Sequence, residues 1–188
     1  MPAPQAFAEI AQTTERATEL ANQLLALAKV EHLQQTDAPI ADWDTTLRQV
    51  ALDLAPLMAD RGIDFDISTT AAPIHSHDWA LRELSRNLLH NAITHTPPQG
   101  RLSVTLRCDA SHATLTVSDS GAGLSDAQRE RLFQPFTSGS PQTGSGLGLA
   151  ICHGIVASLG GQISLNNRVG AQGIEGLDAV VHLPISAN

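Results

Sequence analysis

Apolar residues recur at helical spacing over residues 6–34, a stretch that contains neither glycine nor proline. Within it, Ile10, Ala17 and Leu24 lie seven residues apart. A seven-residue apolar repeat is typical of a helix in a bundle or coiled coil. The pattern therefore predicts a long helix of about 25 to 30 residues. A surface helix folded onto the rest of the protein is the alternative.

Beyond this helix, segments with helical spacing alternate with segments in which apolar and polar residues alternate strictly. Helices are predicted at residues 43–61, 78–95 and 147–159, with a short amphipathic piece at 125–132. Strands are predicted at residues 63–67, 101–108, 113–117, 162–166 and 179–183. Several neighbouring strands are joined by turns too short for a parallel crossover. The pattern thus predicts an α+β protein with a mixed sheet and helices on one face.

Charge and cysteine content exclude several classes of function. The formal net charge is -8, and Lys29 is the only lysine, so neither nucleic acid nor an anionic membrane surface is an expected partner. Cys108 and Cys152 have no metal-binding spacing and read as reduced thiols of a cytosolic protein. No apolar stretch approaches 18 residues, and we expect this chain to lie in the cytoplasm.

Two glycine clusters are the first candidates for phosphate binding. A Walker loop is excluded because its lysine is missing, and a dinucleotide fingerprint fails because Leu149 stands at the third glycine position. The clusters are Asp119–Gly123, directly after a strand, and Gly144–Gly148, directly before a helix. The free N–H groups at a helix start form an anion site that glycines leave accessible. Either cluster alone is more typical of a turn. The two together, one directly after a strand and one directly before a helix, are a much more specific signal for phosphate binding.

Three polar side chains suggest how a nucleotide could be recognised. The carboxylate of Asp119 can accept a hydrogen bond from an exocyclic amine, which distinguishes adenine from guanine. Asn87 and Asn91 are four residues apart and share one face of a predicted helix. Amide oxygens in that arrangement suit Mg²⁺, although surface asparagines are the simpler interpretation.

Four segments in this order resemble the sequence boxes of bacterial sensor histidine kinases. Leu84–Ala92 resembles the N box, Asp119–Leu124 the G1 box, Leu132–Phe136 the F box and Gly144–Ile151 the G2 box. The likeness extends from about residue 40 to Pro184. It identifies the chain as similar to their ATP-binding catalytic domain, and implies a two-layer α/β sandwich of the Bergerat type with a mostly antiparallel sheet.

The resemblance also implies a site for ATP and Mg²⁺. Asp119 would read the adenine amino group, and Asn91 would hold Mg²⁺ with Asn87 beside it. Residues 122–146 would form a mobile lid, anchored by Phe133 and Phe136. The full set of implied binding residues is Asn87, Asn91, His95, Asp119, Gly121, Gly123, Leu124, Phe133, Gly144, Ser145, Gly146, Leu147 and Gly148.

By the same resemblance, residues 1–36 correspond to the second helix of the dimerisation and phosphotransfer bundle, and residues 37–188 to the catalytic domain. None of the eight histidines has the sequence context of the family's phosphoacceptor. The resemblance thus implies transfer of the ATP γ-phosphate to a histidine outside this chain. The implied partners are the phosphoacceptor helix of the same or a partner kinase subunit and a separate response regulator downstream. The parent protein is expected to be a homodimer anchored in the inner membrane.

Some positions depart from the family pattern and leave alternatives open. Thr94, Thr137 and Ser138 stand where relatives commonly carry basic residues, and fewer cations could slow phosphoryl transfer. A non-catalytic ATP-binding regulatory module is therefore one alternative. An ATPase of the chaperone or topoisomerase type is another, but such enzymes carry a glutamate where this chain has Asn87, which cannot act as a base. A serine kinase of the anti-sigma type fits less well because of the leading helix.

Overall fold

The protein is described by a computed structural model over residues 3–31, 33, 38–136, 146–171 and 173–185. Its elements in chain order are α1 (Ala3–Glu31), β1 (Ile40–Asp42), α2 (Trp43–Asp60), β2 (Asp64–Thr69), β3 (Pro73–His75), α3 (Asp78–His95), β4 (Arg101–Cys108), β5 (His112–Asp119), α4 (Asp126–Arg129), α5 (Gly148–Ser158), β6 (Gln162–Gly170) and β7 (Gly173–Pro184).

A five-stranded sheet with the order β2-β4-β5-β7-β6 forms one layer of the fold. Only the β2–β4 pair is parallel, and β3 and α3 lie in the connection between these two strands. The other three neighbouring pairs are antiparallel. The predicted α+β class with a mixed, mostly antiparallel sheet is confirmed.

The helices cover one face of this sheet, as predicted. Leu102, Val104 and Leu106 of β4 are at most 1% exposed, whereas the residues between them are only half-buried. The buried side chains meet leucines of α3, such as Leu84 and Leu88, in one hydrophobic core. This alternation is what burial of one sheet face requires.

Helix positions were predicted more accurately than strand ends. Helices α2, α3 and α5 agree with the predicted ranges to within one residue at each end. Strands β6 and β7 are longer than predicted, because their pairing continues into the polar, glycine-rich segment between them. Strand β5 is longer because its pairing extends to Asp119, opposite Leu102 of β4 and Leu177 of β7. The small β1–β3 sheet was not predicted. The amphipathic piece at 125–132 contains the single helical turn α4, which begins with a capping box between Ser125 and Gln128.

The last turns of α1 pack against α5. Ala26 and Val30 are each 6% exposed, and Nζ of Lys29 lies 5.7 Å from the ring centroid of Trp79. By contrast, Leu24 of the apolar repeat is 45% exposed. The alternative of a helix folded onto the domain thus describes the C-terminal end of α1, while part of the repeat lies open. The predicted boundary between residues 36 and 37 lies outside the described residues.

No helix in the described ranges combines the length and the apolar character needed to cross a membrane.

Candidate functional site

Three elements bring the predicted site residues together. The polar face of α3 carries Asn87, Asn91 and His95, β5 ends at Asp119, and α5 begins at Gly148. Close approaches join α3 both to the turn that follows β5, at Gly121, and to the start of α5, at Gly148. Residues predicted from separate motifs thus line one region of the molecule.

Asp119 is a buried carboxylate, only 3% exposed, at the last position of β5. Its Oδ1 accepts hydrogen bonds from the backbone N–H groups of Gly121 at 2.7 Å and Leu177 at 3.3 Å. Among the described residues, Oδ2 has no hydrogen-bond donor. Burial raises the pKa of Asp119, although the two backbone hydrogen bonds and the nearby His95 and Arg168 oppose the rise. The site therefore presents one desolvated acceptor oxygen.

Gly121 connects the turn after β5 to the end of α3. A Cβ atom at this position would lie 2.6 Å from the carbonyl oxygen of His95 and 2.9 Å from Oδ1 of Asp119. Neither approach is compatible with a side chain, so only glycine allows the turn to sit this close to α3. At this contact His95 contributes only its backbone carbonyl oxygen, and His95 as a whole is exposed to solvent.

The next part of the turn is held by a residue that the sequence analysis missed. Oδ1 of Asn167 accepts a hydrogen bond from the N–H of Leu124 at 2.8 Å, and its Nδ2 donates one to the Leu124 carbonyl at 2.9 Å. Gly123 has a φ of +71°, and a Cβ there would lie 2.6 Å from Asn167 Oδ1. The available signal was a polar residue two positions after the buried Leu165, on the covered face of β6.

Arg168, also missed, contacts the same turn from β6. Its Nη2 donates to the carbonyl oxygen of Asp119 at 2.7 Å, and its Nη1 forms an ion pair with Asp178 at 2.5 Å. Nothing in the local sequence marks this residue, because its partners lie in two other strands.

Asn87 and Asn91 present amide groups next to the start of α5. Nδ2 of Asn87 donates to the Glu83 carbonyl at 2.9 Å within α3. Its Oδ1 lies 3.0 Å from the position of a Cβ atom on Gly148. The half-buried Asn91 side chain has no hydrogen bond to a described residue. Both amide oxygens are therefore available to a ligand.

Part of the predicted lid is described. The rings of Phe133 and His153 stack with centroids 4.9 Å apart and an interplanar angle of 29°. The Phe136 N–H donates to the Gly146 carbonyl at 3.2 Å, but the Phe136 side chain is 64% exposed, so its ring is not packed as an anchor. Leu147 is fully buried. Outside the described residues lie Thr137, Ser138, Gly144 and Ser145.

Thr94, which stands where relatives commonly carry a basic residue, is neutral. Its hydroxyl donates a hydrogen bond to the carbonyl oxygen of His90 at 2.8 Å, one turn back in α3. The described residues contain no group of three or more His, Cys, Asp or Glu side chains that could hold a metal ion. The amide oxygens of Asn87 and Asn91 are oxygen ligands of the kind that a hard cation such as Mg²⁺ takes.

Comparison with known proteins finds a family and individual proteins that this chain resembles. Residues 77–187 match the model of the family described as histidine kinase-, DNA gyrase B- and HSP90-like ATPases. The signal transduction histidine-protein kinase/phosphatase MprB of Mycobacterium ulcerans (strain Agy99) is 38% identical over 111 residues, which cover 57% of this chain and 22% of that protein. The swarming motility regulation sensor protein RssA of Serratia marcescens is 30% identical over 174 residues, covering 88% of this chain and 36% of that protein.

Among solved structures, the mycobacterial sensor histidine kinase MprB superposes with a TM-score of 0.69 and 29% identity. The match covers 78% of this chain and 97% of that structure. The chain spans only 22% and 36% of the length of the two curated relatives.

Proposed function

The chain belongs to the family of histidine kinase-, DNA gyrase B- and HSP90-like ATPases, and we propose that it is the catalytic, ATP-binding part of a sensor histidine kinase. The observation that carries this proposal is the buried carboxylate of Asp119. It stands at the end of β5 with Oδ2 available, while α3 supplies the amide oxygens of Asn87 and Asn91, and the Asn87 amide lies next to the start of α5.

Adenine selection follows from the acceptor character of Oδ2. An ionised carboxylate only accepts hydrogen bonds, and the exocyclic amino group of adenine donates them. Guanine carries a carbonyl at the corresponding position, which would face the carboxylate with like partial charge. A buried acceptor left without a donor costs about 1–3 kcal/mol. The site thus favours ATP over GTP.

The triphosphate would lie toward the start of α5. The first N–H groups of this helix have no partner within the helix, and Gly148 places no side chain between them and an anion. Asn87 and Asn91 would hold Mg²⁺ through their amide oxygens. When bound, Mg²⁺ neutralises charge on the phosphate oxygens during phosphoryl transfer.

The reaction we propose is transfer of the γ-phosphate to a histidine that is not among the eight in this chain. The bond between the γ-phosphorus and its bridging oxygen breaks, ADP leaves, and the phosphorus bonds to an imidazole nitrogen of the acceptor. The chain's own residues bind and orient ATP, and backbone N–H groups stabilise the developing charge. A phosphoacceptor helix and a response regulator are the proposed partners, in a parent protein that dimerises.

Two alternative functions, ATP hydrolysis and ATP binding without phosphate transfer, are weighed by Asn87 and Thr94. Hydrolysis needs a group that activates water, and the amide of Asn87 cannot accept a proton from water. Its Nδ2 is also engaged by the Glu83 carbonyl. A regulatory module that binds ATP without transferring phosphate is favoured by the neutral, internally bonded Thr94.

The test is phosphotransfer in trans. The chain is incubated with Mg²⁺ and γ-labelled ATP, together with a helical hairpin that carries the phosphoacceptor histidine of the mycobacterial relative. We expect acid-labile label on the hairpin with the wild type and none with Asp119→Asn. Asp66→Asn, which changes an exposed carboxylate on β2, is the matched control and should retain transfer. Binding without transfer would favour the regulatory module, and release of free phosphate without the hairpin would favour an ATPase.

A further inference from the structure

We infer that Asn167 and Arg168, consecutive residues of β6, are positioning residues that fix the adenine-facing turn formed by residues 119–124. Neither residue is placed in direct contact with the nucleotide. They act through the backbone of Asp119 and Leu124, and they set both the affinity for ATP and its preference over GTP. The inference rests on the proposed ATP-binding function.

The two side chains hold the turn from opposite faces of the sheet. Consecutive residues of a strand point to opposite sides. Asn167 follows the buried Leu165 by two positions and lies on the helix-covered face, whereas Arg168 lies on the other face with its ion-pair partner Asp178. One strand therefore restrains the turn from both sides.

The side-chain amide of Asn167 forms two hydrogen bonds with the backbone of Leu124, as the backbone of a neighbouring strand would. Its amide accepts from the Leu124 N–H and donates to the Leu124 carbonyl, at 2.8 and 2.9 Å. Because both polar groups of one backbone residue are satisfied, Leu124 cannot rotate without losing two hydrogen bonds. Gly123, which allows the turn to pass close to Asn167 Oδ1, would otherwise leave this segment with wide conformational freedom.

Arg168 fixes the other end of the turn. Its guanidinium group bridges the carbonyl oxygen of Asp119 and the carboxylate of Asp178. The approach is tight, because a Cβ atom on Gly176 would lie 2.0 Å from the Asp119 carbonyl oxygen and 2.4 Å from Nη2 of Arg168. A glycine at this point of β7 thus makes room for the contact between Arg168 and Asp119.

The position of the Asp119 carboxylate depends on these contacts. Asp119 is the last residue of β5, and the chain leaves the sheet after it. A hydrogen-bonding group that recognises a ligand must be held within about 0.5 Å of its productive position by its supporting residues. Loosening either end of the turn lets Oδ2 move relative to the adenine amino group, which weakens ATP binding and reduces discrimination against guanine.

The experiment compares Asn167→Ala with Asn166→Ala. Asn166 is the preceding residue of β6, and among the described residues its Nδ2 donates to Ser164 Oγ alone, at 3.2 Å. ATP and GTP dissociation constants are measured by calorimetry with Mg²⁺, and melting temperatures are measured in parallel. We expect Asn167→Ala to weaken ATP binding about tenfold, the equivalent of one lost buried hydrogen-bonding partner. The ATP-to-GTP preference should fall with it, while Asn166→Ala stays within about twofold of the wild type.

Arg168 is tested with Arg168→Met and Arg168→Lys. Methionine removes both donors, and we expect the same loss of affinity and preference. Lysine keeps the charge and can reach one of the two acceptors, so it should recover part of the preference. Arg107→Met is the matched control, because Arg107 Nη2 donates to Ser68 Oγ on β2, away from the turn.

The inference is wrong if Asn167→Ala and Arg168→Met lower the melting temperature but keep the wild-type affinity and preference, since that result describes a structural role alone. If Asn167→Ala does not fold, Asn167→Ser serves in its place and is judged by the same preference ratio. A wild-type chain that binds neither nucleotide would overturn the proposed function itself. Wild-type binding with unaltered variants would overturn only the role of these two residues.

Discussion

Oδ1 of Asn87 lies 3.0 Å from the point that a Cβ atom on Gly148 would occupy. This distance shows that the polar face of α3 and the first turn of α5 are in contact, with no side chain between them. Two positions that are 61 residues apart in sequence thus form one surface, which we propose as the place where the triphosphate lies.

Gly148→Ala should separate binding from stability. The new Cβ atom would displace the Asn87 amide from the start of α5, and we expect the affinity for Mg²⁺-ATP to fall. Alanine favours a helix over glycine by up to about 1 kcal/mol, so the free energy of unfolding should stay level or rise. Calorimetry and thermal unfolding measure the two effects. Wild-type affinity in this variant would show that the triphosphate does not lie at the start of α5.

Gly121→Ala should damage both the fold and the site. Its Cβ would lie 2.6 Å from the backbone carbonyl oxygen of His95, which cannot move without shifting the end of α3. We expect a loss of about 1–3 kcal/mol in the free energy of unfolding, measured by urea denaturation, and a loss of ATP binding.

The matched control for Gly121→Ala is Gly62→Ala. Gly62 has a φ of +62°, but its nearest contact for a Cβ is Gln99 Cγ at 3.6 Å. This variant carries backbone strain without the steric clash, costing about 1–2 kcal/mol, and ATP binding should be kept. Equal loss of ATP binding in both variants would contradict a specific role for the close approach at Gly121.

The raised pKa of Asp119 predicts a pH dependence of binding. Protonation places a hydrogen on the carboxyl group and removes an acceptor, so ATP affinity should fall as the pH drops through the raised pKa, above the ordinary value of 3.8. Titrations at decreasing pH, down to the limit set by unfolding, follow the loss. Comparison with Asp66→Asn separates it from the effect of an exposed carboxylate. Affinity that stays constant down to the ordinary aspartate range would contradict a role for ionised Asp119.

The same shift fixes the sign of a stability effect. Because the folded-state pKa of Asp119 is raised, its favourable contribution is complete below 3.8 and is lost as the pH rises through the folded-state value. Asp119→Asn should therefore gain stability relative to the wild type as the pH rises through this window. Denaturant titrations at several pH values measure the difference, and a relative loss with rising pH would have the wrong sign.

The packing of α1 on α5 predicts a compensating pair. A Cβ atom on Gly154 would lie 2.7 Å from Cγ1 of Val30, so Gly154→Ala should push the end of α1 away from α5. Val30→Ala removes the clashing methyl group, and the double variant should recover part of the lost contact. Limited proteolysis near the end of α1 measures the change: faster cleavage in Gly154→Ala and slower cleavage in the double variant. If the double variant is cleaved as fast as Gly154→Ala, this contact does not hold α1.

Helix ends and strand ends differ in how far the sequence determines them, for physical reasons. Helix α3 was predicted at its observed ends, because leucines at helical spacing define it and Pro97-Pro98 begin two residues after its last residue. The predicted start of β7 was six residues too late. The strand there is defined by its pairing with β6, and three of its first four residues are glycine or charged, so they show no strand pattern. Pairing partners are not visible in a hydrophobic pattern.

The site shows the same division. Asp119 and Gly121 stand where the motif placed them, next to each other and beside the end of α3. Asn167 and Arg168 were missed because they bind backbone groups 43 and 49 residues away in sequence. A contact to a backbone atom leaves no complementary residue type to recognise. The roles of the site residues in binding ATP and Mg²⁺ are still predictions.

The most direct test is calorimetric titration of the chain with ATP and with GTP, in Mg²⁺ and then in EDTA, for the wild type and Asp119→Asn. We expect ATP to bind more tightly than GTP, Mg²⁺ to strengthen ATP binding, and the variant to lose the preference for ATP. Absence of ATP binding by the folded wild type, or an unchanged preference in Asp119→Asn, would contradict this expectation.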